Sequence, residues 1–521
     1  MAKKIKARYR FVGIIMVVAL VLRLLPAGSS FDWAESQLAL AATSYGRYTP
    51  ISDFLQPPLL HQLTAICSLV SQHEGWLRTW GALIPSLLTI WGLYALGRKL
   101  GGEKTALAAA LLLATSSFHL YFSARLEPYS LAACWAVWSW FFLLERLGVG
   151  RDSYSLPKNH TAQKFFALFP VSRDFFLFLA CSLIGLYTSY LYSLVLASQW
   201  LYLLWRRQWR LFIWAIAIPA VGFLPWWPHL LAQISRQKQL LTLWPHWSQV
   251  TSLALWRAPT LTLGKFIFGT IDLQLNPFFI GLTTLFVSLV IIVALRRGAG
   301  FYAKRRQHWE ALIFMVVVPM LLATVAHFVW PILTPQRLLF LLPGYYLTLC
   351  LLLFAGRQQL SPLAWSLFIL IIGSNLSGSW VFYQQKLYQV ENWRQLLADL
   401  HQDYNSSDSV AVFAYPHSLP PWDWYETHGS AAAFPILTTG TYNTSVDNQW
   451  RQRLSVIDHY QTVILPDSWR TFTDPDNLLP TYIHEQGFTQ EKLHCYPGVC
   501  LHLYSRPTLA LYQERTSEDW Y

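Results

Sequence analysis

The sequence predicts a mainly helical fold, a polytopic bundle of transmembrane helices followed by a small α/β domain. Of its 521 residues, 54% are hydrophobic, 16% aromatic and only 13% charged, whereas soluble domains usually carry about 25% charged residues. About eleven apolar runs come close to the length needed to cross roughly 30 Å of hydrocarbon. Beyond the last run the composition changes, and short strand-like segments replace the long apolar ones.

The apolar runs define a membrane domain, which we place at residues 1–383. The charge-free stretch 175–205 is too long for one ordinary span, so we divide it into two short helices joined by a tight turn just before Tyr190. We therefore predict spans near residues 11–28, 79–97, 105–122, 129–147, 175–189, 190–205, 211–228, 277–296, 310–330, 337–355 and 362–383.

Basic residues set the orientation of these spans. Residues 1–383 hold 31 Lys and Arg against 11 Asp and Glu, and 22 of the basic residues fall on alternate loops, as expected for cytoplasmic loops. We therefore predict a multi-pass plasma (inner) membrane protein with a cytoplasmic N-terminus. The long outer loops 29–78 and 229–276 resemble interfacial helices that lie along the membrane. Because the positive charge sits in short loops, we expect no nucleic-acid partner.

The C-terminal segment 384–521 predicts a soluble α/β domain on the non-cytoplasmic side. It holds 8 Lys and Arg against 16 Asp and Glu, and its strand-like runs are 409–415, 461–465 and 500–504. Cys495 and Cys500 flank a Pro-Gly turn in an oxidising location, which favours a disulfide. Two reduced thiols are the alternative.

Three acidic residues on the outer side of the membrane domain stand out: Asp32, Glu35 and Glu127. Acidic groups are costly at the lip of a membrane domain and so call for a reason. Asp32 and Glu35 are three residues apart and share one face if the segment is helical. The alternative interpretation is a helix N-cap, because an acid followed three residues later by Glu resembles a capping box.

Basic residues at the same predicted level complement these acids. Arg78 precedes the second span, Arg125 lies between the third and fourth, and Arg337 precedes the tenth. Guanidinium groups match the geometry of phosphate. The alternative for any single arginine is snorkelling to lipid headgroups.

Several short motifs carry a resemblance to a known family. In their order and spacing they are similar to those of the GT-C superfamily of membrane glycosyltransferases, in particular the bacterial branch of protein O-mannosyltransferases and aminoarabinose transferases. The motifs are Trp33-Ala34-Glu35-Ser36-Gln37, Gln56-Pro57-Pro58-Leu59, Leu77-Arg78 with Pro85-Ser86, the segment 123–131, Pro225-Trp226, Pro335-Gln336-Arg337 with Pro343, and Asn392-Trp393-Arg394.

The sequence departs from the family pattern in three places. Ala34 stands where the family usually has Asp, so either Glu35 carries the catalytic role alone or Asp32 has taken it over. An acid and an arginine are exchanged, as Arg125 and Glu127. Ser189 precedes Tyr190 where the family usually has His.

The resemblance implies inverting transfer of a sugar from a polyprenyl-phosphate-linked donor to a hydroxyl of a glycan, lipid or protein on the outer face. It implies Glu35 or Asp32 as general base, facing one outer cavity with Arg78 or Arg337. We see no metal-ligand cluster, expect no obligatory structural metal, and leave a divalent ion open. The alternatives are a non-catalytic assembly protein and a transporter of lipid-linked sugars. Candidate phosphate ligands are Arg78, Arg125 and Arg337, and candidate supporting residues are Glu127, Tyr129, Gln56, His61 and Tyr190.

Overall fold

The computed structural model places most of the chain in two compact units. It describes residues 2–25, 29–43, 56–150, 172–243, 257–269, 277–328, 332–355, 362–384, 391–429, 431–468 and 470–507. The larger unit falls within 1–28, 41–238 and 248–385, and the smaller unit within 29–40, 239–247 and 386–521.

Helices make up the larger unit, and one lies at each of the eleven predicted spans. Among the described residues, five continuous helices are long and apolar enough to cross a membrane, or six if the bent pair 103–123 is one span. The full count of eleven stays a prediction. The span helices are Ala2–Leu24, Glu74–Gly101 with its π turn at Thr79–Leu83, Glu103–Thr115 with Ser117–Ser123, Pro128–Arg146, Arg173–Thr188, Tyr192–Trp205, Trp209–Phe223, Pro277–Arg297, Arg306–His327, Gln336–Phe354 and Pro362–Gln384.

Both long loops that are predicted to lie on the outer side contain helices. The first holds Trp33–Thr43 and Leu59–Ser68, and the second holds Arg257–Phe268. At the seventh predicted span, the helix Trp209–Phe223 continues past residue 228, through a 3₁₀ turn at Leu224–Trp226 into the helix Trp227–Leu243. Residues 44–55, 244–256 and 270–276 of these loops, and basic-loop residues 151–171 and Arg357, lie outside the described part of the chain.

Arg23 forms hydrogen bonds with groups at a helix break inside the larger unit. The helix ending at Thr115 and the one beginning at Ser117 are bent by 61°, which frees carbonyl groups that have no helical partner. Arg23, only 2% exposed, donates to the carbonyl of Ala114 at 3.1 Å and lies 2.8 Å from Nδ1 of His119. A buried arginine is therefore matched by the polar groups that the bend exposes.

The smaller unit is built on a five-stranded mixed sheet. Its strands are β1 Ser409–Phe413, β2 Ile436–Thr438, β3 Thr462–Pro466, β4 Thr489–Tyr496 and β5 Val499–Ser505. Their order in the sheet is β2-β1-β3-β5-β4. Strand β1 is parallel to β2 and β3, and β5 is antiparallel to β3 and β4. Alternate residues of the central strands point to two separate cores, so helices cover both faces. The helices of this unit are Trp393–Asp403, Pro420–His428, Trp450–Arg453, Arg470–Thr473 and Leu478–Glu485.

This architecture confirms the predicted fold class, a mainly helical chain with apolar helices and a small C-terminal sheet. The three predicted strands correspond to β1, β3 and β5, whereas β2 and β4 were not predicted. Cys495 and Cys500 face each other across the β4–β5 hairpin and form a disulfide, with their Cα atoms 4.1 Å apart. The hairpin turn uses Gly498 at φ 77°, a conformation that favours glycine.

Candidate functional site

Asp32 and Glu35 form a reciprocal cap at the start of the helix Trp33–Thr43, which we name the acidic helix. The backbone N–H of Glu35 donates to Oδ1 of Asp32 at 2.8 Å, and the N–H of Asp32 donates to Oε2 of Glu35 at 3.4 Å. This is the capping-box geometry, with Asp in the place of the usual Ser or Thr. Glu35 is fully buried, Asp32 is half-buried, and Ala34 points outward.

The cap fixes what each acid can do. Asp32 uses one carboxylate oxygen to close the first turn, and both residues have further interactions. An anion at a helix N-terminus is stabilised by the helix dipole. A carboxylate held at such a position has a defined direction, which a general base needs.

A second cluster forms where the turn 124–127 meets the 3₁₀ helix Gln336–Leu341. Nε of Arg125 lies 2.8 Å from Oε1 of Glu127, and its guanidinium also contacts the hydroxyl and the ring of Tyr121. The hydroxyl of Tyr129 lies close enough to Glu127, Arg337 and Arg125 to interact electrostatically with all three. The structure therefore brings together four residues that the sequence nominated from two distant segments.

Arg78 directly precedes a helical stretch that packs against the turn 124–127. It is 4% exposed and ends the helical turn Glu74–Arg78, directly before the π-helical stretch Thr79–Leu83. One turn later, Gly81 packs so closely on Leu126 that an added Cβ would lie 2.5 Å from a Leu126 methyl. The turn that carries Arg125 and Glu127 is thus packed against the stretch that follows Arg78, and π-helical turns are frequent at functional sites.

A third cluster connects Gln56 and Tyr190 through a residue that the sequence analysis missed. Gln233 is 2% exposed; its Oε1 accepts from the Tyr190 hydroxyl at 2.6 Å, and its amide donates to the Gln56 carbonyl at 3.4 Å. Nε1 of Trp226 donates to the same tyrosine hydroxyl at 2.9 Å. The signal that could have pointed to Gln233 is a polar residue seven positions after the Pro-Trp motif, on the same helical face as Trp226.

His61 is half-buried on the helix Leu59–Ser68. No group of three or more His, Cys, Asp or Glu suited to a metal ion occurs in the part of the chain that the structure describes. The two acids belong to the smaller unit and the three arginines to the larger one. Their sharing of one cavity therefore stays a prediction.

Comparison with known proteins gives one match to a family model and several to solved structures. The model of the dolichyl-phosphate-mannose-protein mannosyltransferases matches residues 55–151. Two crystal structures of ArnT from Cupriavidus metallidurans, one apo and one bound to undecaprenyl phosphate, match at 12% identity with TM-scores of 0.56 and 0.55. Both matches cover 95% of this chain, and 98% and 97% of the respective ArnT chains.

The chain has the fold of the GT-C membrane glycosyltransferases. The resemblance predicted from the motifs is thereby confirmed. An oligosaccharyltransferase from Archaeoglobus fulgidus, tethered to an acceptor peptide containing the sequon NVT, is also similar, with a TM-score of 0.51 at 14% identity over 97% of this chain and 75% of that one. No curated protein matches the sequence.

The family-model match spans six of the nominated residues, which are Gln56, His61, Arg78, Arg125, Glu127 and Tyr129. The acidic helix and Arg337 lie outside that match. Their resemblance to the family rests on the sequence motifs alone.

Proposed function

We propose that this GT-C protein transfers a sugar from a polyprenyl-phosphate-linked donor to a hydroxyl acceptor, with inversion at the anomeric carbon. The observation that carries the proposal is the likeness over nearly the whole chain to the ArnT structure bound to undecaprenyl phosphate. In this proposal the capped, buried Glu35 is the base, and Arg78, Arg125 and Arg337 are the cations that such a reaction needs.

Glu35 acts as the general base in this proposal. An acceptor hydroxyl is a poor nucleophile until a carboxylate removes its proton during attack. Glu35 is fully buried, and the capping box holds its side chain at the N-terminus of the acidic helix. Asp32 either supports Glu35 through the cap or acts as the base itself.

Arginine side chains stabilise the leaving phosphate. Departure of the lipid phosphate develops negative charge, which fixed cations stabilise. Arg78, Arg125 and Arg337 are the candidates for this role, and Arg125 also pairs with Glu127 at 2.8 Å. Tyr129, whose hydroxyl lies near Arg337, orients that guanidinium, and Tyr190, Gln56 and His61 complete the support.

We further propose that residues 1–383 form the catalytic membrane domain and 384–521 a soluble domain outside the cell membrane. The charge pattern of the loops supports this orientation. A reporter active only in the cytoplasm, fused after Tyr521, should be inactive, whereas the same reporter in the loop after Arg206 should be active. Activity at the C-terminus would overturn the orientation.

The test of function is a transfer assay in membranes. A panel of undecaprenyl-phosphate-linked sugars is supplied to membranes that contain either the wild-type protein or Glu35→Gln. We expect transfer of at least one sugar by the wild type and a loss of about 10² to 10⁴-fold in the variant.

One observation favours a second candidate, a non-catalytic assembly protein. Ala34 replaces an acid of the family motif, and the two remaining acids cap a helix. Wild-type protein that binds polyprenyl phosphate but transfers no sugar from the panel would favour this alternative.

A further inference from the structure

Residues 29–32, which lead into the acidic helix, contact aromatic residues of the C-terminal segment. Residues 29–32 form no regular structure, and Phe31 is fully buried. A buried backbone N–H outside a helix or sheet needs an acceptor from elsewhere. The helix Pro420–His428, which we name the aromatic helix, supplies it.

Tyr425 on the aromatic helix accepts two hydrogen bonds, one from Ser30 and one from Phe31. Its hydroxyl oxygen lies 2.6 Å from the backbone N of Phe31 and 2.9 Å from Oγ of Ser30. The Ser30 hydroxyl in turn accepts from the backbone N–H of Arg394 at 3.4 Å, and the Arg394 guanidinium lies 5.9 Å from the centre of the Tyr425 ring. Two segments distant in sequence thus converge on the residues just before the cap.

Trp424 supplies the apolar contact that the acidic helix cannot make for itself. Helix entry is commonly fixed by a contact between the residue before the N-cap and the fourth residue of the helix. Here the first is Phe31 and the second is Ser36, which offers no apolar surface. The Phe31 ring packs instead on Trp424, with ring centroids 5.4 Å apart.

We propose that Tyr425 is a positioning residue for the Glu35 carboxylate. Glu35 follows Phe31 by four residues, and the capping box makes its direction depend on the path of residues 31–32. Tyr425 fixes that path by binding the Phe31 N–H, while Trp424 fixes the ring. The inference rests on the proposed role of Glu35 as base. Misplacing a reacting group by about 1 Å can cost roughly 10²-fold in rate.

Hydrogen exchange tests the positioning without any substrate. In full-length Tyr425→Phe, amides of a peptide covering residues 29–40 should exchange faster than in the wild type. The matched control is Tyr482→Phe, which removes a hydroxyl bonded to the Arg451 carbonyl at 3.2 Å in the other core of the same unit. Unchanged exchange in residues 29–40 of Tyr425→Phe would overturn the inference.

Transfer kinetics test whether the positioning acts through Glu35. We expect Tyr425→Phe to lower kcat about 10- to 100-fold with donor KM nearly unchanged, and Ser30→Ala to do the same more weakly. In the Glu35→Gln background, measured by single turnover with radiolabelled donor, Tyr425→Phe should add no further loss, because groups that act as a unit are non-additive.

The outcomes separate the two proposals. A dead Glu35→Gln with a fully active Tyr425→Phe overturns the positioning role alone, as does a loss in Tyr425→Phe that multiplies with that of Glu35→Gln. Full transfer by Glu35→Gln overturns the proposed base, whatever Tyr425→Phe does.

Discussion

Replacing Glu35 by Gln removes one negative charge and keeps the shape of the helix cap. Gln serves as well as Glu at the third position of a capping box, because its side-chain oxygen also accepts from the N-cap N–H. The contact from Asp32 N–H at 3.4 Å is therefore retained. We expect this change to report on charge and proton transfer rather than on folding.

The complementary pair of changes at Asp32 separates capping from charge. Asn caps helices about as well as Asp, so Asp32→Asn removes only the charge. Asp32→Ala also removes the 2.8 Å bond from the Glu35 N–H, which costs about 0.5–2 kcal/mol. If that energy were lost from catalysis, transfer would fall about 2- to 30-fold.

Loss of a general base has a larger effect than loss of the cap. It lowers the rate by about 10² to 10⁴-fold without weakening ground-state contacts with the donor. In a transfer assay in membranes, we therefore expect Glu35→Gln to lose far more activity than Asp32→Ala, with Asp32→Asn nearly normal and donor binding unchanged throughout. A dead Asp32→Asn beside a mild Glu35→Gln would identify Asp32 as the base. Near-normal transfer by both charge-removing variants would refute the mechanism and leave the pair as a helix cap.

Three further predictions concern other charged groups. Arg337→Ala and Arg78→Ala should weaken donor binding about 10- to 100-fold as well as slow transfer, because the donor phosphate is charged before and after the reaction. Arg23→Leu should lower the free energy of unfolding by about 2 kcal/mol or more, measured by thermal unfolding in detergent, because it strips donors from buried carbonyls. Burial raises the pKa of Asp423 and of Glu426 to about 7, so each carboxyl binds its proton more tightly in the folded chain. Glu426 should therefore stabilise the fold most at acid pH, with this contribution falling as the pH rises from about 4 to about 7.

Each of these predictions has an internal control. Arg98→Ala, on a predicted cytoplasmic loop, should leave donor binding unchanged, and a loss as large as that of Arg337→Ala would contradict the assignment. Arg98→Leu, whose side chain is 50% exposed, should barely change stability, and an Arg23→Leu protein as stable as this control would contradict the role of Arg23. Thermal unfolding of Glu426→Gln should show a flatter pH dependence than the wild type, whereas Glu485→Gln, also 50% exposed, should not.

The sequence alone determined the class of the molecule and the nature of its candidate site. Apolar runs, loop charge and motif order are local or additive properties, so they can be counted along the chain without coordinates. Strands β1, β3 and β5 were predictable because their residues are apolar. Strand β4 contains Gln, Glu and Lys and lies at the sheet edge, where polar residues are favoured, so its sequence does not resemble a core strand.

Tertiary structure decided which of these residues meet. Nothing near Tyr425 in sequence relates it to Phe31, and their 2.6 Å contact arises because nearly four hundred residues of chain return to one place. Gln233 and Arg23 likewise gain their partners from distant segments. Buried polar groups must find hydrogen bonds wherever the fold provides them, so the identity of those partners is a property of the packed chain. The sequence could therefore nominate Glu35, but only the fold revealed that a tyrosine from the C-terminal segment holds the residues leading to it.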